Sequence, residues 1–307
     1  MNASQLIAPI LNRNLIFVHG KGGVGKTVTS QAIALCLSAK NERTLWVTLE
    51  DPTLEIGKLK EVNPHLWHLN CDFTLAFEEY ALMKIGVPRL TQLFLKNKLM
   101  RYLAKAAPGI HELVLLGKIW FERLHYSHVV VDMPSTGYGL ALFQSAENFS
   151  KLFRTGPLHK DAESMIQSFK DPHVTGHVIV ALPEETPLRE SLELNDFLKK
   201  LFPENPAAFL ANRLFPKVPQ KESETESEAG NPALWSSPLA LSMEDYVQKR
   251  YWLENHNMRL WRDADIHYGE LTFIPPPVPS AITSHRNNPL NNIVSQLAEQ
   301  LHAKAYL

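Results

Sequence analysis

The run Gly20-Lys21-Gly22-Gly23-Val24-Gly25-Lys26-Thr27 has the residue types and spacing of a phosphate cradle, G-x-x-x-x-G-K-[ST]. Its glycines let the backbone curl so that successive N–H groups point into one concavity. A helix that opens directly after such a loop adds the positive end of its dipole. Lys26 would bridge the outer phosphates of a nucleotide, and the Thr27 hydroxyl would hold Mg²⁺. The flanks suit this reading. An apolar run, Leu15 to Val18, precedes the loop, and a helical segment, Val28 to Lys40, follows it, with Val28 counted among the nucleotide-binding positions. The competing reading is a glycine-rich strand-to-helix turn that holds no ligand. Lys26 alone would supply the charge a phosphate needs. Lys21 is therefore not explained by the loop, and stays open between a second functional lysine and a solvated one.

Two acidic residues could complete a phosphoryl-transfer site. Thr44 to Leu49 reads as a strand that ends at Glu50-Asp51-Pro52, where proline stops the ladder. A carboxylate at the carboxyl end of a parallel strand faces the ligand crevice of an open α/β sheet, which makes Asp51 the candidate for orienting an attacking water. A turn residue before proline is the alternative. His128 to Val131 reads as an apolar strand ending in Asp132, an arrangement in which the carboxylate holds Mg²⁺ through water. Gly137, five residues on, could offer a backbone N–H to a γ-phosphate and sense its loss.

These residues need a frame, and the rest of the chain supplies one. The 307 residues are 45% hydrophobic and 21% charged, enough for one large α/β domain or two small ones. Further strands are expected at His177 to Leu182, Phe209 to Ala211 and Leu271 to Ile274. Helices are expected at Pro187 to Leu201 with Pro187 at the first position, at Ser242 to Trp261 with Ser242 as cap, and at Leu290 to Ala305. Phe73 to Trp120 is long and helix-rich: Leu90, Leu93 and Phe94 fit one helical face, as do Leu99 and Leu103. Its apolar faces would pack inward or grip a client, which periodicity does not decide. Alternating strands and helices predict one mostly parallel, doubly wound sheet with a helical insertion layer. The whole chain, 1–307, then reads as a single domain, with a helical subdomain formed mainly by 73–125 and 143–172. The stretch 216–237, with Glu222, Glu224, Glu226 and Glu228 among small residues, reads as a mobile loop or a solvated acidic face.

A net charge of −1 gives no electrostatic reason to bind nucleic acid or an anionic membrane. Two cysteines, Cys36 and Cys71, form no CxxC and exclude a disulfide scaffold or a local zinc knuckle; Cys36 reads as core filler. The 13 histidines are dispersed along the chain and read as structural or surface residues. No apolar run approaches the roughly 18 residues of a membrane span, and no cleavable signal is visible, so a soluble cytoplasmic protein is expected.

The loop with Lys21 directly after its first glycine resembles the deviant Walker loop of the class that includes ArsA-type ATPases, tail-anchored-protein targeting ATPases, ParA, MinD and the nitrogenase iron protein. In that class the extra lysine serves a nucleotide-bound dimer, often reaching the partner's ATP. From about Asn14 to Leu301 the order of features is similar to the ArsA and tail-anchored-protein targeting family. Asp51-Pro52 looks like its switch I. Pro108-Gly109-Ile110-His111-Glu112 resembles its P-G-x-x-E segment, and Asp132 with Thr136-Gly137 its switch II. Ala181 to Thr186, Glu190 and Asn212-Arg213 resemble its later segments.

The resemblance implies ATP and ADP with Mg²⁺ as ligands, and Asn212 with Arg213 and the Pro275-Pro276 loop at the adenine. It implies Asp51, Lys21 and Lys26 as catalytic residues, a homodimer when ATP is bound, and a protein client or membrane-associated partner. The departures are Tyr138, Gly139 and Ala141 in switch II, which put the coupling of hydrolysis to movement in doubt, and the lack of a CxxC zinc site. The expected function is an ATP-hydrolysing dimeric switch. The alternatives are a ParA- or MinD-like spatial organiser and a nucleotide sensor with little turnover.

Overall fold

The computed structural model describes residues 3–86, 109–152, 157–215, 238–274 and 289–302. The expectations for 216–237, for Pro275 and Pro276, and for the Leu90 to Leu103 pattern lie outside these residues.

The elements run α1 (Ala3–Leu11), β1 (Leu15–His19), α2 (Lys26–Ser38), β2 (Thr44–Leu49), β3 (Lys60–Asn63), β4 (Leu66–Cys71), α3 (Phe73–Ile85) and α4 (Ile110–Glu122). They continue with β5 (His128–Asp132), α5 (Thr136–Leu152), α6 (Pro157–Lys170), β6 (Thr175–Ala181), α7 (Glu185–Leu201) and β7 (Ala207–Leu214), and end with α8 (Pro238–Asn257), α9 (Arg259–Asp263), β8 (Tyr268–Thr272) and α10 (Pro289–His302).

The strands form one sheet in the order β3-β4-β2-β5-β1-β6-β7-β8. Every pairing is parallel except β3 with β4. Parallel strands are covered on both faces, which is why β1 and β6 are buried along their whole length. Alternate residues feed two cores. Leu15, Phe17, Val129, Val131 and Ile179 join α3 to α7 on one face. Ile16, Val18, Val130, Val178 and Val180 join α1, α2 and α10 on the other. Cys36 is buried in the second core, as a small apolar filler should be.

In the insertion, Leu113, Leu115, Leu116 and Ile119 of α4 pack into the same core as the sheet. Those faces are turned inward. No helix among the described residues is long and apolar enough to cross a membrane.

Several elements depart from the sequence expectation. Helix α1 forms despite Pro9 because Ala3, Ile7, Ile10 and Leu11 lie on one face and are buried. Its start rests on Gly269, where a Cβ would come 2.8 Å from that of Ala3. Strand β4 carries His68 and Asn70 among apolar residues, and β3 is wholly exposed, so neither shows the apolar run of the central strands. Pro187 is the third residue of α7 and not the first; the four leading N–H groups of a helix have no intrahelical partner, so proline is tolerated there. Ser242 is not a cap. Pro238 opens α8 four residues earlier, and the helical run breaks after Asn257 before α9 begins.

Candidate functional site

Strand order reverses at β1, which lies between β5 and β6. The crevice at the carboxyl ends of these strands is where an open α/β sheet holds its ligand. The glycine loop emerges there. A Cβ at Gly20 would come 2.3 Å from the Val180 carbonyl oxygen, so the backbone of β6 leaves room for glycine alone. Gly25, at φ 97°, turns the chain into α2, and no side chain caps that helix. The N–H groups of its first turn remain available to an anion. A Cβ at Gly22 or Gly23 would meet nothing within 4 Å, so the loop's outer face is open.

Asn212 closes the loop from beneath. It is buried, and its Nδ2 donates to the Val24 carbonyl at 2.8 Å. A Cβ at Gly25 would come 2.4 Å from the same nitrogen. Its Oδ1 accepts from the Arg213 N–H at 2.9 Å. Arg213 itself is exposed and sits at φ 60°. Gly25→Ala is expected to weaken nucleotide binding by about tenfold or more, because it combines a left-handed backbone with a close contact. Titration with a fluorescent ATP analogue measures this, and an unchanged affinity would show that the loop can yield.

Lys26 is buried, and its Nζ donates to the Lys21 carbonyl at 2.8 Å. Burial lowers its pKa, and the nearby Asp132 carboxylate opposes the shift. A buried ammonium held mainly by a carbonyl suits an incoming phosphate. The Thr27 hydroxyl donates to Asp132 Oδ2 at 2.6 Å, while Asp132 Oδ1 is buried with no hydrogen-bond partner. Burial pushes the Asp132 carboxyl up to about 6; the Thr27 bond and Lys26 pull the other way, and Asp51 adds repulsion. A hydroxyl and an orphaned carboxylate oxygen side by side are hard oxygen donors of the kind Mg²⁺ takes, so these residues fit the ion.

Asp51 lies in the same crevice, near enough to act on Asp132. Its Oδ1 accepts from the Thr53 N–H at 2.8 Å and the Thr53 hydroxyl at 2.6 Å. The Asn70 side chain brackets its backbone, accepting from Asp51 N–H at 3.0 Å and donating to its carbonyl at 2.8 Å. Gly137 lies exposed in the first turn of α5. Lys21 is not a free charge: its Nζ meets Glu190 Oε1 of α7 at 2.7 Å. The fold thus gathers the loop, Asp51, Asp132 and Gly137 at one edge of the sheet, with Asn212 below.

Residues 13–160, which span every one of these groups except Asn212, Arg213 and Glu190, match the model of the anion-transporting (ArsA) ATPase family. Over this stretch the chain is similar to that family of ATPases. Among its relatives, ATPase BagA of Mycobacterium tuberculosis is 26% identical over 282 residues, covering 82% of each chain. ATPase GET3A of Arabidopsis thaliana is 25% identical over 232 residues, covering 60% of this chain and 63% of the other. An ATPase ASNA1 homolog of Plasmodium yoelii yoelii is 32% identical over 141 residues, covering 42% and 35%.

The chain has polar groups beside the crevice that sequence reading passed over. His19, the last residue before the loop, shares a 3.0 Å hydrogen bond with His177, and both are buried. The histidines had been expected to be structural or on the surface, and this pair is structural; strand pattern gave no means of seeing that it is a pair. Glu190 was visible as a family-like residue, but its pairing with Lys21 depends on how α7 packs. A third group joins Glu50, His111 and Tyr138, and no local spacing links those three positions.

Proposed function

We propose that this chain is an ATP-driven dimeric switch that couples nucleotide turnover to holding and releasing a protein partner. The observation that carries the reading is the buried Lys26 beside the Thr27–Asp132 pair with its orphaned oxygen, all under an open glycine loop. The loop N–H groups and Lys26 would take the outer phosphates. Thr27 and Asp132 would hold Mg²⁺, which supplies neutralising charge on the phosphate oxygens. Asp51, once its carboxylate leaves Thr53, would orient the water. Asn212 would place the base end of the nucleotide, with Arg213 beside it.

Lys21 would exchange Glu190 for the partner protomer's nucleotide. The side chains are 40% and 33% exposed, and such surface bonds contribute only about 0–1 kcal/mol, so the exchange costs little. An apolar hollow of about 300 Å³ between α3, α4 and α6, lined by Ala76, Met83, Leu113, Phe121, Leu124 and Met165, supports a hydrophobic segment as client. A second reading, a sensor with little turnover, is favoured by the occupation of Asp51 with Thr53. Single-turnover phosphate release separates the two.

Sedimentation velocity tests the switch. With Mg²⁺ and a non-hydrolysable ATP analogue the protein should become a dimer, and Lys21→Ala should stay monomeric while still binding the analogue. A sedimentation coefficient that ignores nucleotide would remove the dimeric switch.

A further inference from the structure

Three residues from three separate parts of the chain form a hydrogen-bonded chain beside the crevice. Glu50 follows the last residue of β2 and precedes Asp51; it is held at φ 49°, an uncommon backbone for a residue with a side chain. Its Oε1 lies 3.0 Å from His111 Nε2 in the first turn of α4 and also accepts the Phe73 N–H at 3.3 Å. His111 Nδ1 lies 3.2 Å from the Tyr138 hydroxyl in the first turn of α5. The ring packs on Phe73, with centroids 4.8 Å apart.

The chemistry of the ends fixes the roles. A carboxylate only accepts, so Nε2–H must donate to Glu50. In the neutral ring Nδ1 is then bare, and it accepts from the Tyr138 O–H. Burial, then Glu50 and Glu112, push the Tyr138 hydroxyl up to about 12, so it keeps the proton it donates.

The link has mechanical consequences. Start to finish it runs from the residue beside Asp51 to the residue beside Gly137. Near Tyr138 the start of α5 has glycine at 137 and 139, which by themselves leave its backbone free to shift. The Tyr138 hydroxyl has its partner within this chain, at His111 Nδ1.

We propose that His111 is a positioning residue that ties the Asp51 turn to the first turn of α5, so that the two segments move as one body. This rests on the reading that both segments flank the terminal phosphate. With the tie in place, loss of contact at Gly137 would be felt at Asp51 and the reverse.

Amide hydrogen exchange on the nucleotide-free protein tests the tie without any appeal to turnover. Tyr138→Phe removes one hydroxyl from a partly exposed ring and should leave the fold intact. It is expected to raise exchange about fivefold or more not only at 136–140 but also at 50–54. Glu50→Ala, which removes the acceptor altogether, should act in the opposite direction, loosening 136–140. In ¹⁵N spectra the His111 ring should show the Nε2–H tautomer, and Tyr138→Phe should shift Nδ1. Loosening confined to the mutated segment, or an Nδ1–H tautomer, would overturn the tie. Transmission between the segments in a protein that does not bind ATP would leave the tie standing and overturn the functional reading instead. In the ATP-binding protein, His111→Ala is expected to lower kcat about tenfold with KM for ATP within about threefold.

Discussion

Asp51→Asn is expected to slow ATP hydrolysis by about 100-fold or more while ATP affinity stays within about threefold. Positioned carboxylates acting on an attacking water contribute about 10²–10⁴-fold. Asparagine keeps the size of the side chain and an oxygen that can accept from Thr53, so the turn at 51–54 should survive. It removes the charge that would orient the water and take up its proton. It also removes a repulsion that helps raise the Asp132 carboxyl, so nucleotide binding with Mg²⁺ should not suffer. The contrast with Gly25→Ala is diagnostic, since that change acts on the loop and should lower affinity first. Quench-flow phosphate release together with equilibrium ATP binding measures both quantities. Unchanged turnover in Asp51→Asn would restrict Asp51 to holding the turn.

Acid should destabilise the fold through the two histidines behind the loop. His177 is buried between Phe17 and Phe202, with ring planes 21° from each, and burial holds its pKa down at about 3. His19 is also held well below its ordinary value, by burial first and then by His177 and Lys26. An unfolded histidine titrates near 6.5. Between that pH and the folded value the unfolded chain binds protons that the folded chain refuses. Stability is therefore full above about pH 6.5 and falls as the pH drops. At pH 5 the loss from His177 alone comes to about 2 kcal/mol, at about 1.4 kcal/mol per pH unit, with the same sign from His19. That is a sizeable share of the roughly 5–15 kcal/mol that holds a typical domain.

Asp132 works in the other direction. Its folded pKa, raised to about 6, means that the folded state gains protons first, so its destabilising effect fades as the pH falls through that value. The histidine contribution is accordingly read as a difference. In urea unfolding at pH 7.5 and pH 5, His177→Phe should lose about 2 kcal/mol less than the wild type. Equal losses in the two proteins would mean that the pair is hydrated and titrates freely.

Much of the site is a local matter, and local matters are written in sequence. Gly20 and Gly25 are required by nearby backbone and by a positive φ, and the loop that they shape is defined within eight residues. The strands of the parallel core announce themselves because burial on both faces demands unbroken apolar runs, as in Leu15–His19 and His128–Asp132. A carboxylate at the end of such a strand then falls at the crevice by the geometry of the fold, which is how Asp51 and Asp132 could be picked out. The edge strand β3 and its neighbour β4 escaped notice for the same reason in reverse: one has no buried residue, and the other buries polar side chains.

What tertiary structure alone decided are the partners. Lys21 and Glu190 stand 169 positions apart, Asn212 and Val24 188, His19 and His177 158. No periodicity connects residues at such separations. They meet because β6 lies beside β1 and β7 beside β6, an order set by how helices cover both faces of the sheet. The sequence thus determined the phosphate cradle and the kind of sheet that bears it. The packing of that sheet determined that Lys21 is engaged within its own chain, that Asn212 supports the loop from below, and that Glu50 reaches Tyr138 through His111. Backbone conformation answers to neighbours in the chain, whereas the partner of a charged or polar side chain is whichever group the fold carries to within about 3 Å of it.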